Sequence, residues 1–398
     1  MRKSKWLKNL GFFLMHTCLA LLLGELAVRI LVPIPPKSTE LPKVFVHEKS
    51  NNIKLLYKPS PNMANQAYGV FNKINSGGFR DCEYPVEKPA GTKRIIFLGD
   101  SAVYGYGLEI DKILPKQLEQ RFKEHGEKVE VLNLGVSGYE TQQQIEFFKE
   151  VGLKYKPDLV ISGYTLNDSN YGSWELDLFH SLIDDKVLEP GKNLFKLFLT
   201  FLYEHSRLVS FLDERLKIQK KVKALRSYRT PIRRYMEDRN RKYRDPADSP
   251  YRQLEKQIMT DAERLGTRKV ILDFMLGTIG FQAYDLYQSH WNISRKSFEE
   301  LKQLSEEHSF EVVVVIFPIM RDMDKYPLDS LHHFLASEFE KIGFHVIDLL
   351  DFGKKIYAEH GFPDISGDGL HFSELGSKLV SEYLYEQIHD LDVLKSKS

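Results

Sequence analysis

The sequence contains very little cysteine and almost no net charge. Only Cys18 and Cys82 occur among 398 residues, so neither a disulfide framework nor the paired spacing of a zinc site is present. Lysine and arginine total 56, aspartate and glutamate total 55, and the formal net charge is +1. This balance excludes the strong positive field that draws proteins to nucleic acids. We therefore expect no nucleic-acid partner. Histidines such as His290, His332 and His333 have no neighbouring Cys, Asp or Glu at metal-ligand spacing, and we expect no metal or other cofactor.

The N-terminal segment is apolar and follows a basic flank. The apolar run extends from about Leu10 to Val32, and at about 1.5 Å per helical residue it can cross a bilayer core of roughly 30 Å. The basic residues before it predict a cytoplasmic N-terminus and an extracytoplasmic remainder, periplasmic in a diderm bacterium. Residues 1–33 are predicted to be this flank and a single transmembrane anchor, with a cleaved signal peptide as the alternative.

The rest of the chain divides by its pattern of apolar residues. Residues 34–90 contain many prolines and little periodicity, which predicts a stalk or lead-in segment. From Arg94 onward, short apolar runs alternate with amphipathic stretches, which is typical of a parallel β-sheet with helices on both faces. The strands are predicted at 95–98, 129–134, 159–164, 312–317 and 346–350, and the helices at 112–125, 142–151, 294–308, 330–342 and 373–389.

This α/β domain is predicted to span residues 91–390, with a C-terminal tail at 391–398. A mainly helical insertion interrupts it at about 170–291, and an α/β unit with five strands does not require such a segment. We interpret the insertion as a cap beside the active site.

Residues suited to nucleophilic catalysis follow the first strand and precede the last helix. Ser101 comes directly after Gly99 and Asp100 at a predicted strand end, the edge where open α/β sheets bind ligands. Asp368 and His371 lie three residues apart in one predicted loop. A serine nucleophile needs an imidazole to accept its proton, and the imidazole needs an acceptor on its other nitrogen. Ser101, His371 and Asp368 supply these three roles.

Two further strand ends offer hydrogen-bond donors. Gly135 and Asn167 follow the next two predicted strands. Acyl transfer requires donors aimed at the oxyanion of the tetrahedral intermediate, and a backbone N–H at a glycine together with an amide side chain meets that requirement. Gly135 and Asn167 are the candidates.

In this order, the motifs resemble the four sequence blocks of the SGNH (GDSL-like) hydrolase family over roughly residues 94–390. The motifs are Gly99-Asp100-Ser101, Gly135, Asn167-Asp168 and Asp368-x-x-His371. The resemblance implies a three-layer α/β/α sandwich with a flavodoxin-like parallel sheet. It also implies that Ser101 is the nucleophile, His371 the base and Asp368 the residue that orients it, with an oxyanion hole from the backbone N–H groups of Ser101 and Gly135 and the Asn167 side chain.

Two positions depart from the family pattern. Ala102 stands where the family name has leucine, which does not affect the chemistry. Thr165 replaces the glycine that usually lies two residues before the block-three asparagine. The family pattern therefore does not fix the local backbone around Asn167.

The resemblance predicts hydrolysis of carboxylic esters, either of lipids or of an O-acetylated envelope glycan. An O-acyltransferase that modifies an extracytoplasmic glycan would use the same residues, and a catalytically silent envelope scaffold is the alternative outside enzymes. Between Arg215 and Arg244, thirteen lysines or arginines occur against two acids. That segment is either a solvated helical face or a surface for anionic headgroups or glycans.

Overall fold

The computed structural model describes residues 2–31, 46–166, 168, 206, 208, 235, 238–239, 241–246, 248–267 and 291–394. The chain divides into two compact units. One comprises Met1–Lys43 with Ile183–Met236, and the other comprises Val44–Leu182 with Glu237–Ser398.

In the first unit, the described residues form mainly one long helix, α1 (Arg2–Leu31). Its segment Gly11–Ile30 is long and apolar enough to cross a membrane, as predicted, although a signal sequence has the same properties. Glu25 pairs with Arg29 one turn further on, at 2.7 Å. Glu25 also accepts hydrogen bonds from the Ser206 hydroxyl and the Leu208 N–H, so a charged group in an apolar helix is satisfied within its own unit.

In the second unit, the described lead-in residues, 46–90, are folded and do not form the stalk expected for this part of the chain. They contain two antiparallel strand pairs, β1 (His47–Lys49) with β2 (Tyr57–Pro59) and β3 (Ala64–Ala67) with β4 (Val70–Lys73). Val46 and Ile74 are fully buried and pack with Tyr104 of the α/β domain. Strands of three or four residues are too short to produce a visible alternation of apolar and polar residues, which is why the sequence pattern did not reveal them.

A single five-stranded parallel sheet forms the centre of the second unit, in the order β6-β5-β7-β8-β9. All five predicted strands are present, and nearly every residue of the four longer ones is buried, as expected for a sheet covered on both faces. The last strand ends earlier than predicted, because the chain turns and starts a helix at Leu350. The strands are β5 (Lys93–Gly99), β6 (Val129–Gly135), β7 (Leu159–Thr165), β8 (Glu311–Phe317) and β9 (His345–Asp348).

Helices cover the two faces of this sheet. The described helices are α2 (Ser101–Tyr104), α3 (Leu114–Glu124), α4 (Thr141–Phe147), α5 (Pro250–Leu265), α6 (Trp291–His308), α7 (Asp329–Ile342), α8 (Leu350–His360), α9 (Phe362–Ile365) and α10 (Glu374–Asp390). From β5 the chain moves through α3 to β6 on one side, then through α4 to β7 on the other. Because such crossovers are right-handed, these two helices lie on opposite faces. Helix α10 packs with α3, and α6 packs with α4 and α7, which completes the predicted three-layer α/β/α sandwich.

The C-terminal part of the insertion belongs to the same unit. Helix α5 begins after Ser249, whose hydroxyl accepts the Arg252 N–H, and ends at Gly266 in the left-handed conformation. Arg239 forms a fully buried ion pair with Glu140 at the start of α4, at 2.8 Å. Most of the predicted insertion, most of the basic segment 215–244 and the tail beyond residue 394 lie outside the described residues. The cap therefore stays a prediction.

Candidate active site

The candidate site lies where the order of the sheet changes direction. From β5 the chain goes first to β6 and later to β7 on the opposite side, so a crevice opens at the carboxyl ends of β5 and β7. Ser101 follows β5 and is the first residue of α2. A side chain at Gly99 would place its Cβ 2.3 Å from Val103 Cγ2. Glycine at this position therefore lets α2 pack closely against the end of β5.

The structure brings the three predicted catalytic side chains into one hydrogen-bonded chain. The Ser101 Oγ lies 2.7 Å from His371 Nε2, and His371 Nδ1 lies 2.6 Å from Asp368 Oδ2. Because a carboxylate oxygen only accepts, the imidazole proton belongs on Nδ1, which leaves Nε2 free to accept the serine proton. This is the arrangement that activates a serine hydroxyl for attack.

Asp368 is ionised at neutral pH in this arrangement. Burial alone would raise its pKa, but the hydrogen bond and charge of His371, with the N–H groups of Leu370 and His371, outweigh it and lower the pKa to about 2. Both N–H groups donate to Asp368 Oδ1, each at 2.9 Å. The two carboxylate oxygens therefore have different partners: Oδ1 accepts the backbone N–H groups of the loop, and Oδ2 contacts the imidazole.

The loop that carries Asp368 and His371 is tied to its surroundings at several points. Arg321, after β8, donates to the Asp368 carbonyl at 2.6 Å, and its guanidinium lies 4.8 Å from the centre of the Phe362 ring. The Ser366 hydroxyl accepts the Gly369 N–H and donates to the His371 carbonyl. Nothing in the sequence pattern pointed to Arg321 or Ser366, because their contacts depend on the folded loop.

Two tyrosines lie beside the candidate base. The Tyr106 ring stacks on His371 with 4.6 Å between centroids, and the Tyr68 ring lies 4.8 Å from Tyr106. Tyr68 belongs to the tight turn between β3 and β4, so the lead-in segment reaches the candidate site. Neither tyrosine is marked by a local sequence pattern, because their contacts near His371 are between segments far apart in the chain.

A buried arginine from the lead-in segment supports the helix that begins with Ser101. Arg80, which is 1% exposed, donates to the carbonyls of Tyr104, Gly105 and Leu108. These carbonyls lie at and just beyond the C-terminal end of α2, where backbone acceptors lack partners within the helix. Arg80 therefore fixes the far end of the short helix that begins with Ser101.

The predicted oxyanion donors differ in how the structure places them. The Gly135 N–H donates to Asn133 Oδ1 at 3.0 Å, so this N–H already has a partner. Gly135 is also buried, and a Cβ there would lie 2.3 Å from the Tyr104 nitrogen, which gives Gly135 a packing role between β6 and α2. Gly138, in the turn that follows, is half-exposed with φ +81°. Asn167 lies outside the described residues.

Behind the nucleophile, the structure places two carboxyl groups close to one threonine. Asp100 Oδ1 accepts the Ala102 N–H at 2.9 Å and begins α2. The Thr165 Oγ1 lies 3.0 Å from Asp100 Oδ2 and 2.9 Å from Asp168 Oδ1. Burial raises the pKa of both aspartates, and the nearby charge of Asp100 raises that of Asp168 further. Thr165 is the position that departs from the family pattern.

Comparison with known proteins identifies one family. The sequence matches the model of the GDSL-like lipase/acylhydrolase family over residues 97–379, which include Ser101, Asp368 and His371. An arylesterase from Vibrio mimicus is 32% identical over 81 residues, which cover 20% of this chain and 40% of the arylesterase. The chain thus matches less than half of that relative's length.

Among solved structures, a lipase/acylhydrolase from Enterococcus faecalis is 16% identical to this chain. The match covers 77% of this chain and 100% of the lipase/acylhydrolase chain, with a TM-score of 0.37. A catalytic mutant of an acetylxylan esterase from Geobacillus stearothermophilus is 11% identical, covers 78% and 100% of the two chains, and has a TM-score of 0.40. The assignment to a family rests on the sequence match and not on these structural similarities.

Proposed function

The chain belongs to the GDSL-like lipase/acylhydrolase family, and on this premise we propose that it is a serine esterase that cleaves carboxylic esters through an acyl-enzyme on Ser101. The observation that supports this proposal is the continuous hydrogen-bonded chain from Ser101 through His371 to Asp368. A scaffold without catalytic activity would have no need for these three groups at hydrogen-bonding distance.

In the proposed reaction, the Ser101 Oγ attacks the ester carbonyl carbon while its proton passes to His371 Nε2. The ionised Asp368 stabilises the resulting imidazolium through Nδ1. The tetrahedral intermediate then breaks its bond to the leaving alcohol, which takes the proton from Nε2. Water repeats the same steps on the acyl-enzyme, releasing the carboxylic acid and restoring the serine hydroxyl.

The negative oxygen of each tetrahedral intermediate requires donors at the same edge of the sheet. We assign the backbone N–H of Ser101 and the side chain of Asn167 to this oxyanion hole. For the third donor, the Gly138 N–H is a better candidate than the predicted Gly135 N–H, because Gly135 donates to Asn133 and is buried, whereas Gly138 is half-exposed.

We propose further that the esterase acts outside the cytoplasm, anchored by α1 with its N-terminus in the cytoplasm. The apolar length of Gly11–Ile30 and the basic residues before it support this topology. The substrate is then a lipid or an O-acetylated envelope glycan. N-terminal sequencing of the membrane-bound protein, with protease accessibility in intact cells and in lysed cells, tests both the anchor and its orientation.

A fluorophosphonate probe tests the proposed nucleophile directly. The full-length protein in detergent should be labelled, and labelling should be lost in Ser101→Ala and His371→Ala but kept in the control Ser76→Ala, an exposed serine in the lead-in segment. Melting temperatures should match among the variants. An unlabelled wild-type protein that is folded would contradict the proposal and favour the scaffold.

The fate of the acyl group separates hydrolysis from transfer. Incubation with an activated acetyl ester and an envelope glycan should give free acetate at the rate at which the ester is consumed. If acetylated glycan is instead the main product, water is not the principal acceptor, and the same acyl-enzyme serves an O-acyltransferase.

A further inference from the structure

The Asp100–Thr165–Asp168 cluster joins two parts of the proposed site that come from different strands. Asp100 follows β5 and, through Ala102, starts the helix that carries Ser101. Asp168 closes the turn after β7, because its N–H donates to the Thr165 carbonyl and its Oδ2 accepts the Thr165 N–H. That turn carries Asn167, the proposed amide donor. The Thr165 hydroxyl is the direct link between the two carboxyl groups.

The single hydrogen of the Thr165 hydroxyl cannot serve both carboxyl groups of this cluster. A threonine hydroxyl has one hydrogen and can donate to only one acceptor at a time. Its oxygen nevertheless lies at hydrogen-bonding distance from an oxygen of each carboxyl group. If both groups were ionised, one of these contacts would bring two lone pairs together with no hydrogen between them. A proton on one carboxyl group satisfies both contacts.

The surroundings of the cluster also disfavour two negative charges. Asp100 and Asp168 are 4% and 2% exposed. Within the part of the chain that the structure describes, neither carboxyl group has a lysine or arginine within 4 Å. His371 is the titratable group that faces Asp100, while α4 contributes the neutral Gln144 towards Asp168. Two uncompensated carboxylates this close and this dry would repel each other strongly, which favours the protonated form of one of them.

We propose that Asp100, Thr165 and Asp168 form a protonated bridge that holds the nucleophile and the oxyanion donors in register. Asp168 carries the proton and donates it to Thr165 Oγ1, and the Thr165 hydroxyl donates to Asp100 Oδ2. The bridge acts through the residues that it positions and does not touch the substrate. This inference rests on the proposed esterase function and adds Thr165 and Asp168 as positioning residues.

The bridge should make catalysis sensitive to alkaline conditions. When the proton leaves, two buried carboxylates face each other across Thr165, and the turn after β7 moves away from the turn after β5. The oxyanion donors then no longer point at the same substrate oxygen. We therefore expect kcat to fall while substrate affinity changes little. A purely structural cluster would lower stability at high pH without changing kcat in the folded protein.

An asparagine at position 168 provides the sharpest test, since it reproduces the protonated form permanently. Its amide oxygen can accept the Thr165 N–H, and its amide nitrogen can donate to Thr165 Oγ1. We expect full-length Asp168→Asn to keep kcat within about threefold of wild type at neutral pH, and its alkaline decline to move to higher pH or disappear. An unchanged alkaline decline would overturn the proposal, as would a folded variant that is inactive at every pH.

A pair of threonine variants tests the link itself. Thr165→Val keeps the shape but removes the hydroxyl, and an unsatisfied buried acceptor of this kind should reduce kcat by roughly tenfold or more. Thr165→Ser keeps the hydroxyl and should retain both the wild-type kcat and the wild-type pH profile. If Val and Ser behave alike in folded protein, the hydroxyl is not the link and the proposal fails.

Infrared difference spectra provide a measurement that does not depend on catalysis. Wild-type protein at neutral pH should show the carbonyl stretch of a buried protonated carboxyl group, and Asp168→Asn should lack it. Absence of this band in wild type would overturn the bridge. If the band is present but the protein neither reacts with fluorophosphonate nor cleaves esters, the proposed function has failed and the bridge has not.

Discussion

Replacing Asp368 by asparagine should damage catalysis more than replacing it by alanine, although asparagine is closer to aspartate in shape. Asp368 Oδ1 accepts the N–H groups of Leu370 and His371, so the amide oxygen of asparagine will occupy that place. The amide NH₂ then faces His371 Nδ1, which lies 2.6 Å from Oδ2 in the native chain. Two donors cannot face each other, so Nδ1 loses its hydrogen and Nε2 gains it. Such an imidazole cannot accept the proton of Ser101.

The size of both effects follows from the environment of Asp368. Its pKa falls from the ordinary 3.8 to about 2, and at about 1.4 kcal/mol per unit this amounts to roughly 2.5 kcal/mol. Because the side chain is 49% exposed, screening by solvent reduces the value to about 1 kcal/mol. Alanine should therefore lower kcat/KM by about fivefold. Asparagine also imposes the wrong tautomer on the imidazole, which lowers kcat by about 10⁴ in a serine protease. On this more exposed loop we expect kcat/KM to fall by about 100- to 1,000-fold.

The measurement is kcat/KM on an activated acetyl ester for full-length wild type and the two variants, with melting temperatures to show that each is folded. Residual activity in the order wild type, alanine, asparagine would support the assigned tautomer. If asparagine is as active as alanine or more active, Asp368 does not set the protonation of His371 and the reasoning fails.

Two further predictions concern the supports of the site. Arg80→Met removes three hydrogen bonds to carbonyls at the end of α2 and should lower the free energy of unfolding by about 3 kcal/mol in urea titrations, with Arg80→Lys recovering part of it. A loss below about 1 kcal/mol would show that Arg80 does not hold α2. Arg239→Met leaves Glu140 buried and unpaired and should cost about 3–5 kcal/mol, whereas the double variant with Glu140→Leu should recover most of the loss. If the double variant is no more stable than the single, the buried charge is not the cause.

The central sheet was predictable because its strands are buried along their length. Runs such as Val312–Phe317 are apolar throughout, and only a strand or a buried helix fits a run of that length. The end of the last strand was misplaced, since Leu349 and Leu350 continue the apolar run after the backbone has turned into α8. The pattern of apolar residues alone does not indicate where that turn begins.

The proximity of Ser101, His371 and Asp368 was predictable for a different reason. Ser101 is marked by a strand end, and Asp368 and His371 by their spacing in one loop, so each signal is local. The contacts made by Arg80, Tyr68, Tyr106 and Thr165 are not local, because each joins segments separated by at least 24 positions in the sequence. Sequence reasoning recognised Thr165 as unusual, but only the folded chain shows that its hydroxyl lies between two carboxyl groups.

The lead-in segment contacts both the helix that begins with Ser101 and the surroundings of His371. Arg80 donates to carbonyls at the end of the helix that begins with Ser101, and Tyr68 packs on Tyr106 beside His371. Residues 46–82 are therefore part of the candidate active site and not a spacer. A fragment that starts at residue 91, the start of the predicted α/β domain, would leave the carbonyls after α2 without their donor and expose Tyr104. We expect residues 91–398 to aggregate and to resist fluorophosphonate labelling, whereas residues 34–398 are labelled. Equal labelling and equal melting temperatures for the two fragments would show that the nucleophile helix does not depend on the lead-in segment.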